Sequence, residues 1–202
     1  MPFCPEKIVI ASNNHKKIME ITAILQQLNI QAVSQAELGI VCEPEETGTT
    51  FKENARIKAL AVHALCSLPT IADDSGLEVG ALGGQPGVYS ARYGTPDLDD
   101  AGRCALLLKN MANVEEAARS ARFVSAICLA LSGDTFVESE GTVDGRILRE
   151  PAGEGGFGYD PLFYVDALGA SFAAAPTEEK NKISHRAVAL RIFAQKLADL
   201  QK

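Results

Sequence analysis

The chain has 202 residues, and its 19 Lys and Arg against 26 Asp and Glu give a formal charge of −7. Its 47% hydrophobic and 22% charged residues are typical of a globular protein and exclude a disordered one. The excess of negative charge disfavours a protein that binds nucleic acid or a membrane surface non-specifically. A small anionic ligand is not excluded, because it needs only a local cluster of donors.

The five cysteines are widely spaced and form no CxxC pair, which is typical of reduced thiols in a cytosolic protein. The first ten residues include Glu6 and lack the apolar segment of a signal peptide. The charge-free residues 59–72 are fewer than the roughly 18 to 20 apolar residues of a membrane-spanning helix. We therefore expect a cytoplasmic protein without a membrane partner.

The first third of the chain alternates predicted strands and helices. Residues 7–11 form a short β-branched run, and apolar residues then recur at helical spacing from Ile18 to Leu28. A second helix is predicted to start near Thr50 and to stop before Pro69, and a buried strand begins at Thr70. This alternation predicts an α/β fold with parallel strand pairing.

The middle of the chain changes character. Residues 80–94 are rich in Gly and Pro and predict an irregular loop. Residues 97–111 predict a helix with Asp97 as its N-cap. Residues 120–131 and 135–148 then predict two strands of an antiparallel hairpin joined at residues 132–134.

The last quarter contains a second Gly-rich loop at residues 151–161, a short strand at 162–165 and a helix capped by Ser184. We expect residues 1–202 to form a single two-lobed domain. The predicted fold is α/β, with a long mixed central sheet, flanking helices and an active site in the cleft between the lobes.

Residues 12–17 (SNNHKK) join the first strand to the first helix. Unpaired backbone N–H groups and the helix dipole favour anions there, and Ser, Asn and Lys side chains add donors. The segment is therefore a candidate anion site, although it is not a GxxxxGK[ST] loop. The alternative is an ordinary capped helix with solvated lysines.

Residues 43–48 (EPEETG) form an acidic loop before the second helix. A glutamate near a helix start usually caps the helix, but a carboxylate facing an anion site could instead hold Mg²⁺. Lys58 shares the helix face of Asn54, four residues earlier, and taken alone it predicts only a surface charge.

Asp73 and Asp74 are predicted to close a buried strand, where open α/β sheets bind their ligands. Successive side chains of a strand point to opposite faces, so the two carboxylates have different roles. One is expected to face the cleft as a base or metal ligand, and the other to accept backbone donors. Gly76 is expected to let the chain turn sharply.

Two later segments carry candidate ligand groups. The loop around Phe157 and Tyr159 can stack an aromatic ring on a planar heterocycle, and such stacking contributes about 1–3 kcal/mol per base. The alternative is a turn whose aromatic rings lie in the core. Residues 180–186 (KNKISHR) are predicted to place donors at a helix start. His185 and Arg186 there oppose the helix dipole, which suggests ligand binding.

Taken in order, these segments resemble one family, the inosine triphosphate (non-canonical purine nucleoside triphosphate) pyrophosphatases. The resemblance spans nearly the whole chain, and the joint occurrence of its blocks is specific. The blocks are SNN with Lys17 at 12–17, EETG at 45–48, Phe51 with ENA at 53–55, ADDSGL at 72–77, PGVYSARY at 86–93, GGFGYDP at 155–161 and SHR at 184–186.

The resemblance implies Mg²⁺-dependent hydrolysis of ITP, dITP and XTP to the monophosphate and pyrophosphate, by a homodimer. It implies that Glu46 and Asp74 serve the metal, that Asp74 is also the catalytic base, and that Ser75 touches the nucleotide. The triphosphate would bind Ser12, Asn13, Asn14, His15, Lys16, Lys17 and Lys58. The base and sugar would bind Phe157, Gly158, Tyr159, Asp160, Lys180, His185 and Arg186. Asn13 stands where the family commonly has Gly.

Three alternatives remain at this stage. A Maf-like nucleotide pyrophosphatase is disfavoured by the GFGYDP and SHR blocks. A non-catalytic nucleotide sensor is disfavoured because Glu46, Asp74 and Lys17 occur together, and a sensor needs no base beside a metal. A nucleic-acid-binding protein is disfavoured by the charge balance.

Overall fold

The structure is a computed structural model and describes residues 5–95, 97–132 and 135–200. Within these residues the chain forms seven strands and five α-helices, connected by short 3-10 segments. In chain order they are β1 (Lys7–Ile10), α1 (His15–Gln27), β2 (Gln31–Ser34), α2 (Phe51–Cys66), β3 (Thr70–Val79), α3 (Asp100–Asn110), β4 (Ser120–Ser132), β5 (Thr135–Ile147), β6 (Phe163–Val165), β7 (Ala170–Ser171), α4 (Thr177–Ile183) and α5 (His185–Leu200).

The strands form one mixed sheet in the order β2-β1-β3-β4-β5-β6-β7. Strand β1 pairs in parallel with β2 and with β3, in each case after a connection that contains a helix. The pairs β5–β6 and β6–β7 are antiparallel. The predicted α/β fold with a mixed central sheet and flanking helices is therefore confirmed.

The chain divides into two compact units. Unit 1 comprises Met1–Asp74, Ser125–Gly141 and Arg186–Lys202. Its core is built from the apolar faces of its helices and strands: α1 buries Ile21 and Leu25, and α5 buries Leu190, Phe193 and Leu197. These positions repeat at three- and four-residue spacing, which is why the sequence alone predicts both helices.

Unit 2 comprises Ser75–Val124 and Thr142–His185. Three aromatic rings lie at its core: the Phe123 and Phe163 centroids are 4.6 Å apart with the rings edge to face, and those of Phe163 and Phe172 are 5.2 Å apart. Edge-to-face contacts of this kind add to the stability from burial.

Strand β3 differs from the prediction because it runs on to Val79. Asp73 and Asp74 lie inside the strand rather than at its end, and Gly76 continues the strand instead of turning the chain. The apolar residues Leu77 and Val79 are fully buried and extend the strand beyond the polar stretch. Edge strand β2 was not predicted, because its sequence QAVS contains a single β-branched residue.

The helix boundaries bring two further corrections. Helix α3 is capped by Asp99, whose Oδ1 accepts the Gly102 N–H at 2.7 Å, so the predicted cap Asp97 is wrong. Lys180 lies in the separate helix α4, not at the start of the last helix. With seven residues and almost no apolar face, α4 gives no periodic signal. Helix α5 begins at His185, directly after Ser184, as predicted.

Three further sequence-based predictions concern the hairpin turn, the cysteines and membrane-spanning helices. Residues 133 and 134 of the predicted hairpin turn lie outside the described residues, and so does Cys4. The four described cysteines are free. Among the helices that the structure describes, none is long and apolar enough to cross a membrane.

Candidate active site

An ion-paired group in unit 1 joins the acidic loop, helix α2 and strand β3. The Lys58 Nζ lies 3.0 Å from the Glu46 Oε1 and 2.5 Å from the Asp74 Oδ1. The Asp74 side chain is 8% exposed, and those of Lys58 and Glu46 are 17% and 24% exposed. Two carboxylates predicted to bind a metal thus share one ammonium group.

The charges of this group depend on one another. Although burial disfavours the ammonium, the Asp74 and Glu46 carboxylates raise the pKa of Lys58 above its ordinary value. Burial raises the pKa of Asp74, against the opposing charge of Lys58. A carboxylate with a raised pKa is a better proton acceptor than an exposed aspartate.

Strand β3 directs the neighbouring carboxylate to other partners, as the alternation along a strand predicts. The Asp73 Oδ2 lies 2.6 Å from the Lys17 Nζ and 3.5 Å from the Arg186 Nη2, and the Ser125 hydroxyl donates to the Asp73 Oδ1 at 2.5 Å. Arg186 also binds the Glu20 Oε2, at 2.8 Å through its Nη1. The sequence predicts backbone donors for this carboxylate, and the structure adds three side-chain partners.

Burial and charge act in opposite directions on this second group. Burial by itself would raise the pKa of Asp73, but Lys17 and Arg186 outweigh it and hold that pKa well below its usual range. Burial lowers the pKa of Lys17, and the attraction of Asp73 limits that effect. The Asp73 and Arg186 side chains are 0% and 3% exposed, so the charges rely on one another rather than on water.

The start of α1 is capped from within the chain. The Asn14 Oδ1 accepts the N–H groups of Lys16 at 3.0 Å and Lys17 at 3.2 Å, and the Ser12 Oγ accepts the Asn14 N–H at 3.1 Å. Two of the backbone donors expected to be unpaired are therefore bound to Asn14. His15 and Lys16 are exposed beside them.

Asn13 binds through its side chain. Its Nδ2 donates to the Glu43 Oε1 at 2.6 Å, and its Oδ1 accepts from the Gln35 Nε2 at 3.0 Å. Among the described residues, only Asn29 and Ser67 combine a positive φ with a side chain, so Asn13 does not adopt the conformation that would favour Gly.

Unit 2 holds the other set of predicted residues around Asp160, which is 3% exposed. Its Oδ2 accepts from the Lys180 Nζ at 2.5 Å and from the Phe157 N–H at 2.9 Å. The Lys180 ammonium lies 5.3 Å from the centroid of the Phe157 ring and 5.2 Å from that of Phe172. Gly156 has φ +74°, and a Cβ there would overlap Asp160, so only glycine fits.

Three other predicted residues of this set also have contacts within unit 2. The Tyr159 hydroxyl donates to the Ser90 carbonyl at 2.9 Å, and burial raises the pKa of Tyr159. The Gly158 N–H donates to the Asp100 Oδ2 at 2.7 Å. The buried His185 ring stacks on Phe123 with centroids 4.8 Å apart. Tyr159 and His185 therefore belong to the packed interior of unit 2.

The sequence also matches a known protein family. A profile of the Ham1 family matches residues 8–196, which is almost the full length. This chain belongs to the Ham1 family. Among similar members, a protein of Listeria innocua is 44% identical over 194 residues, 96% of each chain, and is named dITP/XTP pyrophosphatase. A Bacillus subtilis protein with the same name is 43% identical over 192 residues, 95% of this chain and 97% of the relative.

Solved structures of Ham1 proteins share the fold. The HAM1 protein of Coxiella burnetii superposes with a TM-score of 0.90 at 40% identity, and that of Staphylococcus aureus with a TM-score of 0.88 at 40% identity. Each comparison covers 96% of this chain and 98% of the other. At this identity and coverage, the Ham1 proteins support both the fold and the family.

In this Ham1 protein, the structure groups most of the charged residues that the sequence singled out. Lys17, Lys58 and Arg186 each contact a buried aspartate in unit 1, and Lys180 contacts one in unit 2. Ser75 follows Asp74 in β3 and is half-buried. Sequence reasoning missed two partners of these charged groups, Glu20 and Ser125, and no local sequence signal points to either of them. It noted Asn54 only as a member of a family block and as sharing the helix face of Lys58.

Proposed function

We propose that this protein hydrolyses non-canonical purine nucleoside triphosphates, namely ITP, dITP and XTP, to the nucleoside monophosphate and pyrophosphate. This activity would remove such nucleotides before they enter DNA or RNA. The observation that carries the proposal is the pairing of Glu46 and Asp74 around Lys58 in a member of the Ham1 family. Its relatives named dITP/XTP pyrophosphatase support the substrate class.

We propose Mg²⁺ as the cofactor, held by Glu46 and Asp74. The described residues contain no group of three His, Cys, Asp or Glu side chains suited to a metal, but Mg²⁺ often takes only one or two carboxylates together with substrate phosphates. The Asp74 Oδ2 is buried without a hydrogen-bond partner among the described residues, so it has capacity for a cation. When bound, Mg²⁺ would neutralise charge on the phosphates.

The protein's own residues supply the remaining functions. Asp74 would accept the proton of the attacking water, a task that suits its raised pKa. Lys58 is held beside Asp74 and would offer its positive charge to the phosphate oxygens, and Lys17 would do the same from α1. The leaving pyrophosphate would be stabilised by these lysines.

The first expected result concerns the products. Incubation of ITP with the protein and Mg²⁺ should yield IMP and pyrophosphate in equal amounts, because the proposed reaction hydrolyses the bond between the α and β phosphates. Phosphorus NMR of the reaction mixture measures both products. IDP and orthophosphate as primary products would contradict the proposal.

The same assay separates an enzyme from a nucleotide sensor. A sensor would bind ITP, detected as a rise in Tm, without releasing pyrophosphate at any Mg²⁺ concentration. An enzyme of the proposed class would release pyrophosphate only when a divalent cation is present. A panel that includes pyrimidine triphosphates distinguishes the Maf-like alternative.

We propose that Arg186 and His185 contribute to the choice of base. Hypoxanthine and xanthine carry an acceptor oxygen at position 6, adenine carries an amino donor there, and Arg186 has donors only. A donor that faces the amino group of adenine leaves both groups without a partner, at a cost of about 1–3 kcal/mol per group. This cost corresponds to roughly a 10- to 100-fold preference for ITP over ATP. GTP would be refused at its 2-amino group.

Arg186→Ala should therefore raise the KM for ITP and shrink the ITP/ATP ratio of kcat/KM. Because Arg186 also binds Glu20 and Asp73, each variant needs a Tm measurement. Arg191→Ala is the matched control, since Arg191 is exposed on the same helix. Wild-type ratios in both Arg186→Ala and His185→Ala would assign base selection to other residues.

We also propose that the protein acts in the cytoplasm as a homodimer, as the family resemblance implies. The free state of the four described cysteines supports a reducing compartment. Light scattering coupled to size exclusion should give twice the monomer mass of 21.5 kDa. A single monomeric species at micromolar concentration would contradict the dimer.

A further inference from the structure

Side chains of helix α2 fasten the preceding loop to its first turn. The Asn54 Oδ1 accepts the Gly48 N–H at 2.8 Å. The Glu53 Oε2 accepts the N–H groups of Thr49 at 2.7 Å and Thr50 at 3.1 Å. Three consecutive backbone donors are thus bound by two side chains of the helix, immediately after the segment that carries Glu46.

Asn54 is a poor choice for stability at this position. It is fully buried at 0% exposure inside α2, where Asn is a weak helix former. Its Nδ2 has no hydrogen-bond partner among the described residues, and a buried donor without a partner is destabilising. A small apolar side chain would avoid both penalties, although it would also remove the acceptor of the Gly48 N–H. The residue therefore has a task other than stabilising the helix.

The geometry of Gly48 indicates what that task is. A Cβ on Gly48 would lie 2.6 Å from the Asn54 Oδ1 and 2.7 Å from the Glu53 Cβ, so the loop backbone approaches the helix too closely for any side chain. Lys58 lies one turn beyond Asn54 and contacts the Glu46 Oε1 at 3.0 Å. Asn54 therefore holds the loop backbone while Lys58 holds the Glu46 carboxylate.

We propose that Asn54 is a positioning residue that sets the place of the Glu46 carboxylate for a divalent cation. It acts through the Gly48 N–H, two residues from Glu46, and this proposal rests on the metal-binding function proposed above for Glu46. Mutation of a residue that orients a metal ligand typically lowers metal affinity by about 10- to 100-fold. The role concerns affinity for the cation rather than the chemical step.

The test uses the full chain and Mn²⁺ as the probe, with free Mn²⁺ measured by electron paramagnetic resonance. Asn54→Ala should raise the Kd for Mn²⁺ by about 10- to 100-fold. It should also speed hydrogen exchange of the Gly48 amide by about tenfold. Asn54→Asp keeps the acceptor for Gly48 and should keep that amide protected. Val62→Ala truncates a buried residue further along α2 and controls for general loss of stability.

In the activity assay, Asn54→Ala should need more Mg²⁺ for half-maximal rate and should approach the wild-type kcat at saturating Mg²⁺. A Mn²⁺ Kd within twofold of wild type, or a Gly48 amide that stays protected, would overturn the proposal. So would a wild-type protein that binds no Mn²⁺, since Glu46 would then have no cation to bind. Failure of the wild type to hydrolyse any nucleotide would refute the proposed function alone, because the Mn²⁺ and exchange measurements do not depend on turnover.

Discussion

Replacing Asp74 by Asn should lower kcat for ITP by about 10²-fold or more while the protein stays folded. The amide cannot accept a proton from water at neutral pH, and it removes one negative charge from the proposed metal site. Its Oδ1 still accepts from the Lys58 Nζ, which lies 2.5 Å from that atom in the wild type, and Lys58 also keeps Glu46 as a partner. The loss should therefore appear in the rate and not in the fold.

Steady-state kinetics at saturating Mg²⁺, together with the Tm and circular dichroism of the variant, measure both parts of this expectation. Asp166→Asn is a suitable control, because that carboxylate is 87% exposed and pairs with Arg146 at the surface. A folded Asp74→Asn variant with near-normal turnover would refute the assignment of Asp74 as the base.

Asp73→Asn should have its main effect on stability and lower the free energy of unfolding by about 3–5 kcal/mol. Asp73 is the buried carboxylate between Lys17 and Arg186, and its loss leaves two buried cations with less compensation. The sequence predicts this division of roles between neighbouring aspartates, and the structure adds the cause. Because Lys17 also loses the carboxylate that holds its ammonium group in place, the KM for ITP should rise in the same variant.

Denaturant unfolding of Asp73→Asn is best compared with Glu138→Gln. Glu138 also has two cationic partners, Lys52 at 3.1 Å and Arg56 at 2.8 Å, but these are 55% and 45% exposed. Water screens such pairs, so Glu138→Gln should cost less than about 1 kcal/mol. Equal losses in the two variants would show that burial does not determine the strength of the Asp73 network.

Ser125→Ala tests the same network by removing an uncharged partner of Asp73. The Ser125 hydroxyl donates to the Asp73 Oδ1, and its loss should cost about 1.5–3 kcal/mol because the acceptor is charged. In a double-mutant cycle with Asp73→Asn, the two losses should not add, since they remove members of one network. Strict additivity would contradict the coupling.

The resemblance to a known family, carried by short blocks of sequence, named most of the charged residues that the structure groups. For Lys58, the local sequence pattern alone does not predict the observed environment. On helical periodicity it is an ordinary surface lysine, yet it lies between two carboxylates from different segments. Asn14 shows the reverse, because ordinary helix capping explains its observed contacts without any ligand.

The sequence by itself determined the features that depend on near neighbours in the chain. Helices α1 and α2 follow from apolar spacing, and the different partners of Asp73 and Asp74 follow from alternation along a strand. Such patterns are readable because one turn of helix or one strand repeat involves only a few consecutive residues.

Only the tertiary structure decided which charges compensate one another. Arg186 meets Asp73 across 113 residues of chain and Glu20 across 166, and no local pattern encodes either pair. The same holds for the length of β3, because a strand can continue through two aspartates only when distant lysines and an arginine offset the cost of burying their charges. The packing of the whole fold determines which groups pair with a buried charge, and for that reason local sequence patterns do not predict these pairs.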